Sequence, residues 1–310
     1  MLRQLSFPMI QDFLSRHTTG LPVLALLLAT FFWGSSFITV GSALDYTNPL
    51  TLMLMRFGVG SVMVAALLRG RIFAIPAKTW RAGAVCGLAI YLAYAFNAAG
   101  LMTLESSVSG FLTALYVPLT PLMVWVVYGR RPSAGALVGV LMAFGGLVLL
   151  ANPFTLTLSG NPGELMTILS AFLSAGEIMI VSRFAPGTQA RHLAFTQLVS
   201  VTVFSLLGLG LAEAVGLPLG DTVLNQTVIL AVLWLAVIVA CVQVLLSWAQ
   251  RYVPAGRAAV IFAMESVFCA IIGWFAGEDL GWTGLLGGAL IVSGILAGEI
   301  QWKKRKEASS

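Results

Sequence analysis

The sequence has very little charge for its length. Asp, Glu, Lys and Arg make up only 9% of the 310 residues, whereas about a quarter of an average soluble domain is charged. Hydrophobic residues make up 59% of the chain, so too few polar residues remain to cover a water-exposed surface. The composition therefore excludes an ordinary soluble domain and predicts an all-α integral membrane protein.

Cysteine and histidine are also scarce, with three and two copies. Cys86, Cys241 and Cys269 lie singly in apolar segments without metal-ligand spacing, and His17 and His192 lie at segment ends. The phosphate-binding G-x-x-x-x-G-K-[ST] loop and the G-x-S-x-G and H-E-x-x-H motifs are absent. We therefore expect neither an enzyme nor a bound metal or cofactor.

Long apolar runs fill most of the sequence. Runs of 17–25 such residues are typical of membrane-spanning helices. The sequence predicts ten spans, numbered 1 to 10 below, at 21–43, 49–68, 80–101, 106–128, 134–151, 162–182, 192–213, 227–249, 255–275 and 282–300.

The basic residues between the spans all lie on one predicted side. Sixteen of the seventeen Lys and Arg residues fall in the N-terminal segment 1–20, in the loops after spans 2, 4, 6 and 8, or in the C-terminal tail 301–310. The other loops contain only acidic charges. By the positive-inside rule, both termini are cytoplasmic in a multi-pass protein of the inner (plasma) membrane, and nucleic acid is not an expected partner.

The two halves of the chain resemble each other weakly. A shift of 148 residues places Gly129, Leu137, Gly139 and Gly146 on Gly277, Leu285, Gly287 and Gly294. A shift of 141 places Arg56 on Gln197. Because each half has five spans, the repeats 21–152 and 162–300 are predicted to be inverted across the membrane. Inverted repeats are typical of secondary transporters, which bind substrate near the midplane.

Several motifs resemble one transporter family. They are "FFWGSSFITV" in span 1, "PLTLMLMRFGVG" in span 2, "GLMTLESSVSGFLTALYVPLTPL" in span 4 and "FAMESVFCAIIGWFAGEDLGWTGLLGGALIVSGILAGE" in spans 9 and 10. Over about residues 22–300 the chain is similar to EamA-type transporters of the drug/metabolite transporter superfamily. The resemblance implies ten helices, inverted five-helix repeats, cytoplasmic termini, and export of amino acids or other small metabolites.

Three ionisable residues lie inside predicted spans, where a charge is costly and commonly functional. Arg56 lies in span 2, Glu177 in span 6 and Glu265 in the middle of span 9. A pair of Arg56 with Glu265 would offset part of the cost of both charges. Alternatively, these residues contact a substrate's carboxylate or ammonium, or a glutamate carries a proton, because a desolvated carboxylate can titrate near neutrality.

Aromatic and polar faces on spans 3, 4 and 8 predict a central cavity, because polar side chains in a membrane face protein or water. The candidate substrate-binding residues are Glu265, Tyr91, Tyr94, Asn97, Tyr116, Gln243, Trp33 and Gln197. Interhelical hydrogen bonding is the structural alternative for each polar residue. Pro118 and Pro121 predict a bend in span 4. The small-residue spacings Gly135/Gly139, Gly284/Gly288 and Gly294/Gly298 predict close helix contacts for spans 5 and 10, either within the monomer or between subunits.

These features predict a membrane transporter that exports small metabolites by alternating access around a central cavity, and for which a monomer is sufficient. Amino acids, particularly aromatic or hydrophobic ones, are the expected substrates. Facilitated uniport and proton-coupled export of other metabolites or drugs both remain open. The alternatives from other classes are a lipid-handling protein and an intramembrane enzyme.

Overall fold

A computed structural model describes residues 20–101, 103–104, 106–151, 160–275, 277 and 281–307. Of the predicted N-terminal cytoplasmic segment 1–20, residues 1–19 lie outside the described residues. The helices of spans 1 to 10 are Gly20–Leu44, Pro49–Leu68, Ala77–Leu101, Ser106–Thr113 with Tyr116–Tyr128, Ala134–Leu150, Pro162–Phe184, Ala190–Ala214, Gln226–Ala249, Ala255–Phe262 with Met264–Phe275, and Gly281–Glu307.

The predicted spans agree with the observed helices to within a few residues. Over the described part of the chain, nine are long and apolar enough to cross a membrane, and Ala134–Leu150 is a shorter apolar helix. Span 10 differs most, because its helix continues to Glu307 through the residues predicted to form the C-terminal tail. Capping side chains begin several helices: Asn48, Asn161 and Asn225 each accept a hydrogen bond from the backbone N–H three residues on.

Large apolar side chains cover the outside of the bundle. Val126, Leu141 and Leu207 are 82%, 66% and 62% exposed, whereas many positions between the helices are occupied by fully buried alanines such as Ala171, Ala175 and Ala258. In water such a surface would be unstable, but in a bilayer it contacts lipid tails. The packing therefore indicates a multi-span membrane protein.

Spans 4 and 9 are each interrupted at their centre. The breaks fall at Leu115 and Ala263, which are 148 residues apart and have the same backbone angles, φ −56° and ψ −20°. Pro118 explains the first break, because its ring removes the hydrogen bond to the carbonyl of Ala114. Span 4 is thus interrupted just before Pro118, where the prolines predicted a bend, while Pro121 lies inside the second helix. Span 9 breaks without a proline, which the sequence did not indicate.

Helix neighbours follow a regular pattern. Span 5 packs against span 10 and span 2 against span 7, while span 3 packs against spans 6 and 7 as span 8 does against spans 1 and 2. Both halves of span 4 contact span 6, and both halves of span 9 contact span 1. If each span is exchanged for the one five positions away, the contacts of spans 5 with 10 and 2 with 7 are unchanged, and each of the others becomes another contact of the same set.

Spans 5 and 10 approach closely through glycines. A Cβ on Gly146 would lie 2.5 Å from the Gly287 carbonyl oxygen, and a Cβ on Gly294 would lie 2.8 Å from that of Gly139. These distances leave no room for any side chain. Close helix contacts were predicted for both spans, and the structure shows that spans 5 and 10 make them with each other. Gly139 and Gly294 belong to the predicted spacings, whereas Gly146 and Gly287 do not.

Candidate functional site

Arg56 lies inside the bundle against two aromatic rings. Its side chain is 8% exposed, and its guanidinium carbon lies 4.8 Å from the ring centre of Tyr94 and 5.1 Å from that of Phe57. The two rings meet edge to face at 5.9 Å. Cation–π contacts therefore offset part of the cost of burying this charge. The Arg56 Nε has no hydrogen-bond partner, so the guanidinium keeps one free donor.

Glu177 and Glu265 come to the same region from spans 6 and 9. Both carboxylates interact electrostatically with the hydroxyl groups of Tyr94 and Tyr116. All four side chains are half-buried. They come from the interior portions of four different spans. These four residues and Arg56, called the central cluster below, thus place one cation, two carboxylates and two phenols around the middle of the bundle.

The break in span 9 positions Glu265. Met264 begins the second helix of this span, so Glu265 lies in its first turn, where free backbone N–H groups favour a negative charge. Span 1 approaches the same point through Gly34, since a Cβ on Gly34 would lie 2.8 Å from the Glu265 carbonyl oxygen. Gly34 belongs to the "WGSS" motif, and this close approach is a physical reason for its glycine.

The predicted pair of Arg56 with Glu265 is not formed in this conformation. Arg56 interacts with Tyr94 rather than with a carboxylate, and neither Glu177 nor Glu265 has a charged partner among the described residues. Tyr94 interacts with Arg56 and with both carboxylates, so it is the residue that connects the opposite charges. The arrangement leaves the carboxylates available to a cationic group.

Trp33 and Gln197 both lie at contacts between helices. Trp33 is half-buried and packs edge to face on Phe262 at 6.1 Å, immediately before the break in span 9. Gln197 is completely buried, and its Oε1 accepts a hydrogen bond from Ser247 at 3.3 Å. Trp33 therefore contacts span 9 three residues before Glu265, whereas the contacts of Gln197 connect spans 7 and 8.

Tyr91 and Asn97 each contact a neighbouring helix. Tyr91 lies alongside Phe204 with ring centres 6.1 Å apart, and its hydroxyl fills the space beside Gly208. Asn97 donates to Ser109 at 3.3 Å and to Thr113 at 2.9 Å, which joins spans 3 and 4. These two residues thus hold helices together.

Gln243 is 4% exposed, one turn of span 8 before Ser247.

A cavity of about 820 Å³ opens at one end of the bundle. This end, called the basic end, carries the loops after spans 4, 6 and 8, and the cavity is called the vestibule. Its inner wall includes Pro121, Met179 and Ile261, which lie two to five residues along their spans from Tyr116, Glu177 and Glu265. The vestibule therefore leads towards the central cluster. Five arginines line it, although the sequence indicated only that they determine membrane orientation.

Loops at the opposite end are joined. The hydroxyl groups of Thr47 and Thr222 lie 3.0 Å apart, and the Val223 N–H donates to the Tyr46 carbonyl at 2.8 Å. These contacts connect the loop after span 1 with the loop after span 7. The conformation is thus open at the basic end, with hydrogen-bonded loops at the other end, called the acidic end.

Apolar helices around a half-buried cluster of charged residues, reached through a vestibule, define a polytopic membrane protein with an internal polar site. The sequence matches the model of the EamA-like transporter family over residues 20–152 and again over 161–297. The chain therefore belongs to the EamA-like transporter family.

Individual relatives agree with this assignment. Two proteins of Archaeoglobus fulgidus, both named uncharacterized transporters, are similar to the chain. One is 30% identical over 79% of this chain and 74% of its own length. The other is 27% identical over 90% of this chain and 96% of its own length. A protein of known crystal structure has the same fold, with a TM-score of 0.75 at 20% identity, over 91% of this chain and 98% of that one.

Proposed function

We propose that this transporter exports amino acids, preferentially aromatic or bulky apolar ones, across the inner (plasma) membrane by alternating access. The observation that carries the proposal is the composition of the central cluster. An amino acid has a carboxylate for Arg56 and an ammonium for the unpaired Glu177 and Glu265. Tyr94 and Tyr116 would pack on its side chain, as aromatic rings commonly do.

Alternating access requires two related halves that move around the site. The matching breaks at Leu115 and Ala263 and the exchangeable helix contacts support two inverted repeats. The family match over 20–152 and 161–297 supports the same division. The loop charges support cytoplasmic termini, so the vestibule would face the cytoplasm and admit substrate from that side.

Counterflow tests the proposal. Purified protein in liposomes loaded with unlabelled phenylalanine should accumulate labelled phenylalanine transiently, with no chemical change in it. Phenylalaninamide, which lacks the carboxylate, and phenylpropionate, which lacks the ammonium, should both compete poorly. The proposal is wrong if no amino acid is exchanged, or if the substrate emerges chemically altered, as an intramembrane enzyme would do.

Proton-coupled export is a second candidate, and the observation that favours it is the absence of a cationic partner for either carboxylate among the described residues. An imposed pH gradient distinguishes it from facilitated uniport. For a uniporter, the gradient leaves the direction of net flux unchanged. For an antiporter, it drives accumulation, and Glu265→Gln or Glu177→Gln should abolish that accumulation while preserving exchange.

A further inference from the structure

The vestibule is strongly and uniformly cationic. Its charged lining consists of Arg130, Arg131, Arg183, Arg251 and Arg257, with no Asp, Glu or Lys from the described residues. These arginines come from three separate loop regions that only the fold brings together. Their combined formal charge equals the net charge of +5 of the whole chain. A concave surface with charges of one sign and apolar walls concentrates the electrostatic potential inside it.

Membrane orientation alone does not require this arrangement. Positive residues in a cytoplasmic loop orient a protein wherever in the loop they lie. The loop after span 2 is equally basic, but its exposed Arg71, Lys78 and Arg81 lie outside the vestibule. The concentration of arginines around one cavity therefore calls for a separate explanation.

A buried polar group in the vestibule wall also lacks a partner. Gln250 is 3% exposed, and its side-chain oxygen makes no hydrogen bond. Rotation of the amide would present its NH2 group at the same place. The adjacent Arg251 is held by a hydrogen bond from its guanidinium to the Thr188 carbonyl, while its Nε also has no partner. Buried groups without partners are uncommon and indicate that something else satisfies them.

We propose that the vestibule is an oxyanion-binding site for a carboxylate or phosphate group. The group binds there without contacting the central cluster, or before it does so. Guanidinium groups bind both kinds of oxyanion with paired hydrogen bonds. The volume of about 820 Å³ is within the range of small-ligand sites. The group belongs either to a soluble metabolite or to an anionic lipid headgroup. The site does not depend on amino-acid transport.

Binding of inorganic phosphate tests the proposal directly. The probe is titrated calorimetrically into wild-type protein in nanodiscs of phosphatidylcholine alone, where we expect saturable binding that weakens with added KCl. A triple variant with Arg130→Gln, Arg131→Gln and Arg183→Gln should bind at least about tenfold more weakly. A control with Arg71→Gln, Lys78→Gln and Arg81→Gln loses the same charge and should bind like wild type. If the triple variant does not insert, single Arg130→Gln and Arg183→Gln variants serve the same comparison.

A second arm identifies the source of the oxyanion. The binding measurement is repeated in nanodiscs that contain phosphatidylglycerol. A lipid headgroup is indicated if wild type no longer binds phosphate and phosphatidylglycerol is enriched around wild type but not around the triple variant. Undiminished phosphate binding indicates a soluble metabolite.

The proposal is overturned if wild type neither binds phosphate nor enriches phosphatidylglycerol, or if the control variant loses as much as the triple variant. Binding without amino-acid flux would contradict only the proposed transport function. Flux without binding would contradict only the oxyanion site.

Discussion

The buried charge of Arg56 depends on Tyr94 for its environment. The guanidinium lies over the Tyr94 ring at 4.8 Å, and the same tyrosine interacts with Glu177 and Glu265. Arg56 contacts this tyrosine and no carboxylate of the described residues, so the cation and the carboxylates are separate in this conformation. This separation leaves both signs of charge available to a zwitterion, which a closed Arg–Glu pair would not do.

Replacing Tyr94 tests the cation–π contact. Tyr94→Phe keeps the ring but loses the hydroxyl that interacts with Arg56, so it should lower the thermal unfolding temperature less than Tyr94→Leu does. Tyr94→Leu should lower stability by about 2 kcal/mol or more, because the desolvated cation–π contact is lost as well. Adding Arg56→Gln to Tyr94→Leu should cost less than the sum of the two single changes. Strict additivity of the three measured unfolding free energies would contradict the contact.

Replacing Glu265 tests its contact with the substrate ammonium. Glu265→Gln should raise the KM for phenylalanine in proteoliposomes about tenfold or more, since a charged hydrogen bond is replaced by a neutral one. Glu213→Gln removes an exposed carboxylate at the acidic end and is the matched control. An equal KM for Glu265→Gln and wild type would show that the carboxylate does not bind substrate.

At the scale of elements, glycine contacts determine how closely the helices pack. Gly146→Ala places a methyl group 2.5 Å from a backbone oxygen that cannot rotate away, so the helices must separate. We expect a loss of about 1–3 kcal/mol in stability, as for other overpacked sites. Gly210→Ala is the control, because its Cβ meets nothing within 4 Å. Equal unfolding temperatures for both variants would contradict the packing.

The breaks in spans 4 and 9 have the same backbone angles, although only the first involves a proline. Pro118 enforces the break at Leu115, whereas at Ala263 no proline is present. Local sequence accounts for the first break. The second break falls beside the contact of span 1 with span 9 at Gly34, and no local residue accounts for it.

At the scale of the whole molecule, the joined loops at the acidic end suggest a direct test of alternating access. The Thr47 and Thr222 oxygens are 3.0 Å apart, so cysteines at both positions should form a disulfide. Oxidation should hold the protein open at the basic end and abolish counterflow, and a reducing agent should restore it. Each single cysteine variant is a control that should remain active when oxidised. Undiminished counterflow in the cross-linked protein would exclude opening at these loops.

Much of this architecture could be predicted from the sequence. Apolar run lengths determined the spans, because a helix must cover the hydrocarbon core and satisfy its own backbone hydrogen bonds. The same cost of burial identified Arg56, Glu177 and Glu265 as unusual. The length of an apolar run and the cost of an intramembrane charge are local properties that depend on the bilayer as solvent. They can be evaluated without knowing which helices contact each other.

Only the tertiary structure decided the partners. It placed Arg56 on Tyr94 rather than on Glu265, directed Tyr91 to span 7, and interrupted span 9 at Ala263. It also gathered arginines of separate loops into one vestibule. A helical pattern specifies a face but not its neighbour, and contacts between distant spans depend on the packing of all ten together.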